Sequence, residues 1–84
     1  MERQEIFLQL KSIIRKYIKQ EVDISTTEES TNFLSDLNLD SVHLINLIVD
    51  IEETFSITIE EEELENINLV KDVIDLISRS SKGN

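Results

Sequence analysis

The sequence predicts an all-α fold: a small four-helix bundle with a long loop between the first and second major helices and a short third helix. Three observations carry this expectation. Apolar residues recur at three- and four-residue steps in every major window, as on the buried face of an amphipathic helix. One glycine and no proline leave few strong breakers, so boundaries must come from periodicity and caps. Eighty-four residues leave room for a single core, so residues 1–84 are read as one domain, with an ordered part over about 3–78 and a flexible tail over 79–84.

The first helix is marked by Ile6, Phe7, Leu10, Ile13, Ile14, Tyr17 and Ile18. Glu2 and Glu5 stand in its first turn and Arg15, Lys16 and Lys19 in its last turns, an order that suits the helix dipole. Residues 20–32, QEVDISTTEESTN, are polar with little period and read as a surface loop, with Thr31 or Asn32 starting a short turn. Phe33, Leu34 and Leu37 return the chain to the core. After Asp40 the period resumes in SVHLINLIVDIEETF, a helix ending near Phe55, and SITI connects it to a short segment from about Glu60 that turns Leu64 and Ile67 inward. Asn68 reads as the cap of a last helix over 69 to about 77, with Val70, Val73, Ile74 and Ile77 on one side.

The helix after Asp40 has two apolar stripes. At about 100° per residue, Leu44, Leu47, Ile48, Ile51 and Phe55 form a core stripe. Val42, Ile45 and Val49 fall on the other side, beside Asn46 and Glu53, as an anchor row for a partner would. The alternative is a helix buried on both sides, which so short a chain makes harder to build.

Composition removes several function classes. Without cysteine there is no disulfide, thiolate metal site or thiol nucleophile. A net charge of −10 disfavours nucleic acid, whose phosphates need Lys and Arg. Residues 1–19 hold five basic and two acidic side chains, whereas residues 20–70 hold fourteen acids and no Lys or Arg. Such a face keeps a domain soluble and monomeric, or steers it toward partners with basic patches. No apolar run is long enough for a membrane span, and the charged N-terminus does not resemble a secretory signal, so a cytoplasmic protein is expected. The run 36–40 has the first, third and fifth ligands of a calcium loop, but Ser41 stands in place of its glycine and Leu47 in place of its closing glutamate, so no metal site is expected. Ser41 with His43 does not make a hydrolase: residues two apart on a helix do not face each other, and no second histidine, cysteine or Gly-x-Ser-x-Gly elbow is present.

Asp40 and Ser41 are first of all helix N-cap material. A helix start also favours an anion, and a phosphodiester on the Ser41 hydroxyl would lie in that field. The run Phe33-Leu34-Ser35-Asp36-Leu37-Asn38-Leu39-Asp40-Ser41-Val42, with Leu47, Glu52, Glu53, Phe55, Ile57 and Ile59 behind it, resembles the acyl carrier proteins of fatty acid and polyketide synthesis. The resemblance runs from Ile6 to Ile77. It implies a carrier that is not an enzyme, with 4'-phosphopantetheine from coenzyme A attached at Ser41 and Asp40 as part of the motif. Its implied partners are a phosphopantetheinyl transferase and acyl-loading and acyl-processing enzymes with basic docking patches. Docking is expected on Val42, Ile45, Asn46, Val49, Asp50, Glu52 and Glu53. The family's cargo cavity maps to Leu47, Ile48, Ile59, Leu64 and Ile67, residues equally compatible with plain core, and the lack of alanine implies a tight or closed cavity when unloaded.

Three departures from the family pattern matter. Asn38 replaces a glycine, and asparagine tolerates positive φ best among the other residues. Glu60 replaces a proline, which an acid at a helix start offsets. His43 and Asn46 stand where fatty-acid carriers commonly have acids, which points to a specialised fatty acid or polyketide-type pathway. The rival reading is an unmodified acidic helical adaptor that binds a basic partner protein.

Overall fold

The computed structural model describes residues 2–19 and 22–81. Among them four α-helices follow in order, α1 (Arg3–Ile14), α2 (Ser41–Phe55), α3 (Glu61–Leu64) and α4 (Val70–Ser81), with one 3-10 turn, Ile24–Thr26, in the long loop. The fold is therefore the expected helical bundle. Its core is built from Ile6, Leu10, Ile13 and Ile14 of α1, Leu47, Ile48 and Ile51 of α2, and Val70, Val73, Ile74, Leu76 and Ile77 of α4. Phe33, Leu37 and Leu39 of the loop, with Ile59 and Ile67, close it. α1 packs against both α2 and α4.

α1 ends a turn earlier than its apolar period suggests. After Ile14 the bonds tighten, Lys16 N–H donating to Ile13 O and Tyr17 N–H to Ile14 O, so the chain leaves the helix in i to i−3 turns. Tyr17 and Ile18 still pack against the core, but Arg15 is the C-cap and Lys16 and Lys19 lie beyond it, leaving Lys11 as the base of the last turn.

The long loop is organised by its own side chains. Asp23 caps the 3-10 turn by accepting from the Ser25 N–H and hydroxyl, and both hold its carboxyl below the usual carboxylate range. Asn32 Oδ1 accepts from the Leu34 and Ser35 N–H groups, which makes Asn32 the start of the expected turn. The loop is then stitched to the head of α4: Phe33 N–H donates to Asn68 O, Val70 N–H to Thr31 O and Lys71 N–H to Glu29 O. Arg3 binds Glu29 at 2.9 Å and Asp75 at 2.7 Å, tying α1, loop and α4 together.

Two expectations about α4 change. Its free amides are met by those loop carbonyls and by Asp72, whose carboxylate reaches back to the Asn68 and Leu69 N–H groups at 3.0 and 2.8 Å. Among the described residues the Asn68 side chain makes no such bond, so it is not the cap. The helix also continues through Ser81 instead of stopping near 77, so 79–81 of the expected tail lie within α4. Residues 82–84 lie outside the described residues.

Candidate functional site

The start of α2 is positioned by a short turn. Leu37 and Leu39 are buried on either side of exposed Asn38, whose φ of 56° is the left-handed value its replacement of glycine requires. Leu39 N–H donates to Phe33 O, which anchors the chain one residue before the cap. Asp40 is the N-cap: its Oδ1 accepts from the His43 N–H at 2.7 Å, and its carbonyl accepts from the Leu44 N–H at 2.9 Å. The His43 amide, more than any other group, holds the Asp40 carboxyl below its ordinary range. Ser41 is therefore the first helical residue, with an exposed side chain. His43 turns away from it, its Nδ1 lying 2.9 Å from Asp40 Oδ1, so no serine–histidine pair exists.

On one side Ser41 borders a cleft of about 240 Å³ lined by Leu44, Ile45 and Ile48 of α2 and by Leu64, Glu65 and Ile67 across from them. Three of the five residues expected to line a cargo cavity, Ile48, Leu64 and Ile67, are on its walls. Leu47 and Ile59 are instead buried in the core and line no part of it. Leu44, Ile45 and Glu65 were not anticipated. Leu44, Ile45 and Ile48 stand three, four and seven residues after Ser41, so helical spacing counted from the serine itself points to them. The cleft is not closed: Ser41, Ile45 and Glu65 on its rim are exposed.

The outward stripe of α2 exists as expected. Val42, Ile45 and Val49 are 67%, 57% and 45% exposed, and Asn46 and Glu53 stand exposed among them. The other two acids of this helix are engaged inward. Asp50 accepts from the Tyr17 hydroxyl at 2.9 Å and pairs with Lys16 at 3.3 Å. Those bonds, the tyrosine's first, lower the carboxyl's pKa and raise the phenol's. Glu52 accepts from the Ile59 N–H at 2.8 Å and so fastens the connector that follows Ser56, itself in the left-handed conformation. At the expected proline position, Glu60 is the N-cap of α3, and its N–H donates to Glu63 Oε1 at 3.2 Å. Among the described residues no group of three His, Cys, Asp or Glu could hold a metal ion, and no helix is long and apolar enough to cross a membrane.

The family model described as the phosphopantetheine attachment site matches residues 9–77. The acyl carrier protein of Coprothermobacter proteolyticus is 39% identical over 77 residues, covering 92% of this chain and 92% of that relative. That of Thermotoga maritima is 36% identical over 77 residues, covering 92% and 93%. Among solved structures, the fold is similar to the acyl carrier protein of Enterococcus faecalis, with a TM-score of 0.79 and 26% identity over 96% of this chain and all of that one (100%). The T. maritima acyl carrier protein superposes with a TM-score of 0.78 and 32% identity over 95% of this chain and 91% of that one.

Proposed function

This chain belongs to the acyl carrier protein family, and from that premise we propose that Ser41 is its attachment residue and that it delivers acyl or related intermediates to partner enzymes. Members of the family are carriers and not enzymes, and their prosthetic group is 4'-phosphopantetheine. When bound, the group supplies a terminal thiol that holds cargo as a thioester. The observation that carries the reading is that the exposed Ser41 opens a fifteen-residue helix and borders an apolar cleft on the same side.

Each neighbouring residue has a part. Asp40 holds the first turn of α2 so that the Ser41 hydroxyl is presented to a phosphopantetheinyl transferase. Leu44, Ile48, Leu64 and Ile67 offer an apolar cargo shelter from water beside its point of attachment. Val42, Ile45 and Val49, with Asn46 and Glu53 between them, form the docking face. Asp50 and Glu52 support that face through the negative field, their oxygens being held by Tyr17, Lys16 and Ile59. We place the protein in the cytoplasm as a monomer, serving a specialised fatty acid or polyketide-type pathway because His43 and Asn46 interrupt the acidity of its docking face.

Mass spectrometry of the intact protein after incubation with a broad-specificity phosphopantetheinyl transferase and coenzyme A tests the site. A phosphopantetheine-sized gain lost in Ser41→Ala is expected. A gain persisting in that variant removes Ser41, and no gain with any transferase favours the unmodified adaptor.

A further inference from the structure

The sole histidine of the chain sits two residues beyond Ser41 and is paired with the N-cap. Its Nδ1 lies 2.9 Å from Asp40 Oδ1, the same oxygen that accepts its backbone N–H at 2.7 Å. Both side chains face water, with 54% and 64% of their surfaces exposed, so a docking enzyme can read the pair directly. Between Ser41 and Val49 no other side chain is ionisable. The next acid along α2, Asp50, is occupied by Lys16 and Tyr17. Asp36, whose carboxylate accepts from the Asn32 N–H, precedes the pair in the chain, and Glu65 stands on the far wall of the cleft. Neither is a cation, and among the described residues Asp40 is the one ion-pair partner of His43 within 4 Å.

The local charge beside the attachment serine therefore depends on one proton. Histidine is the side-chain type whose charge ordinarily changes between about pH 5 and pH 8. Asp40 stays ionised throughout that range, its carboxyl being held low chiefly by the His43 N–H. The pair is thus an anion when the imidazole is neutral and carries no net charge when it is protonated.

We propose that the Asp40–His43 pair is a protonation-dependent specificity element: enzymes that bring basic side chains to the Ser41 turn engage the carrier readily while His43 is neutral and more slowly once it is protonated. The proposal rests on the reading of Ser41 as the attachment residue. Rim charges of this kind act mainly on association rate and on its salt dependence. The partner chemistry selected is a surface with a lysine or arginine facing the first turn of α2, and proton uptake by His43 removes the attraction such a surface feels.

The test is the second-order rate of Ser41 modification by one broad-specificity transferase with coenzyme A, measured from about pH 5.5 to about pH 8.5. Wild type is compared with His43→Gln and His43→Lys, and the imidazole titration is followed by proton NMR. Taking ratios at each pH cancels the enzyme's own profile. The Gln to wild-type rate ratio should be near one at high pH. It should rise to about twofold to fivefold as the imidazole protonates at low salt, and return toward one at high salt. His43→Lys should match protonated wild type at every pH. A ratio that ignores pH, or a Lys variant modified as fast as the Gln variant, overturns the proposal while leaving Ser41 as the attachment residue. A wild type that is never modified at any pH removes the attachment reading, and the proposal with it.

Discussion

α2 and α4 are both amphipathic helices on one core, yet they use their surfaces differently. α4 places Val70, Val73, Ile74, Leu76 and Ile77 in the core, and three of its charged residues are engaged within the molecule: Asp72 with the amides before the helix, Asp75 with Arg3, Arg79 with Glu63. α2 buries Leu47, Ile48 and Ile51 and leaves Val42, Ile45 and Val49 facing water. Apolar surface in water gains about 25 cal/mol per Å² when a partner covers it, so α2 keeps an unused driving force beside Ser41 where α4 keeps none. The helix with all its apolar residues in the core and the helix that keeps an apolar row in water are thus distinct.

The largest effect that can break this contrast comes from truncating each kind of apolar residue. Ile74→Ala and Ile48→Ala should each lose ~2–5 kcal/mol of stability, whereas Val49→Ala should stay within about half a kcal/mol. Denaturant melts of the three variants measure it. Equal losses for Ile48→Ala and Val49→Ala would mean that α2 is buried on both sides.

A smaller effect sharpens the account of how α4 begins. Asp72→Ala strips the acceptor from the Asn68 and Leu69 amides and should cost about 1–2 kcal/mol, as loss of a helix cap does. Asn68→Ala, which removes no side-chain bond among the described residues, should cost much less. The same melts check both, and a reversed order would return the capping role to Asn68.

That pair of variants marks the boundary of what the sequence discloses. The helix order, the two faces of α2, the turn at Asn38 and the cap at Asp40 are local, and each follows from spacing over a few residues or from the φ preference of one side chain. What stayed hidden is non-local or ambiguous in period. Tyr17 and Ile18 continue the apolar rhythm of α1, but a tight i to i−3 turn keeps them against the core as well as a helix would. Asn68 and Asp72 are both plausible capping residues until loop carbonyls of Thr31 and Glu29 are seen to meet the α4 amides. Asp50 and Glu52 look like free docking acids because Tyr17 and the Ile59 amide, their partners, lie 33 and 7 residues away in the chain. Family position points to Leu47 and Ile59 as cavity residues, whereas counting turns from Ser41 points to Leu44 and Ile45, which line the cleft.

The Asp50 latch separates supporting acids from contacting ones. Asp50→Asn keeps an acceptor for Tyr17 but loses the charge that strengthens the bond, and it should cost somewhat under about 1 kcal/mol near neutral pH. Asp50 has a depressed folded pKa, so its contribution is present above the ordinary carboxylate value and lost as pH falls through the folded one. Tyr17 has a raised folded pKa, so its contribution is present below the ordinary phenol value and lost as pH rises through the folded one. The stability gap between wild type and Asp50→Asn should therefore be flat in between, closing below about pH 4 and again above about pH 10. A gap that is constant into acid would mean that the latch does not form in solution, and that Asp50 is free to contact partners as Glu53 is.

The smallest expected effect concerns the charge imbalance between segments of the chain. Residues 1–19 and 71–82 carry all eight Lys and Arg, while residues 20–70 carry fourteen carboxylates and none. Added salt acts on both kinds of contact. It weakens the pairs Arg3–Glu29, Arg3–Asp75, Lys16–Asp50 and Arg79–Glu63, which are mostly solvent-facing, and exposed pairs contribute little. It also screens the repulsion among the many acids left over at a net charge of −10, which opposes the compact state. Repulsion should dominate, so raising salt from about 10 mM to about 200 mM should lift the melting midpoint by about 2–4 °C, equivalent to about half a kcal/mol. Arg3→Ala, which frees Glu29 and Asp75, should enlarge that rise, because it adds to the unpaired negative charge that salt relieves. A midpoint that falls with salt in wild type would reverse the ranking and make the four ion pairs, rather than the apolar core contacts of α4, the interactions that offset the acidic surface.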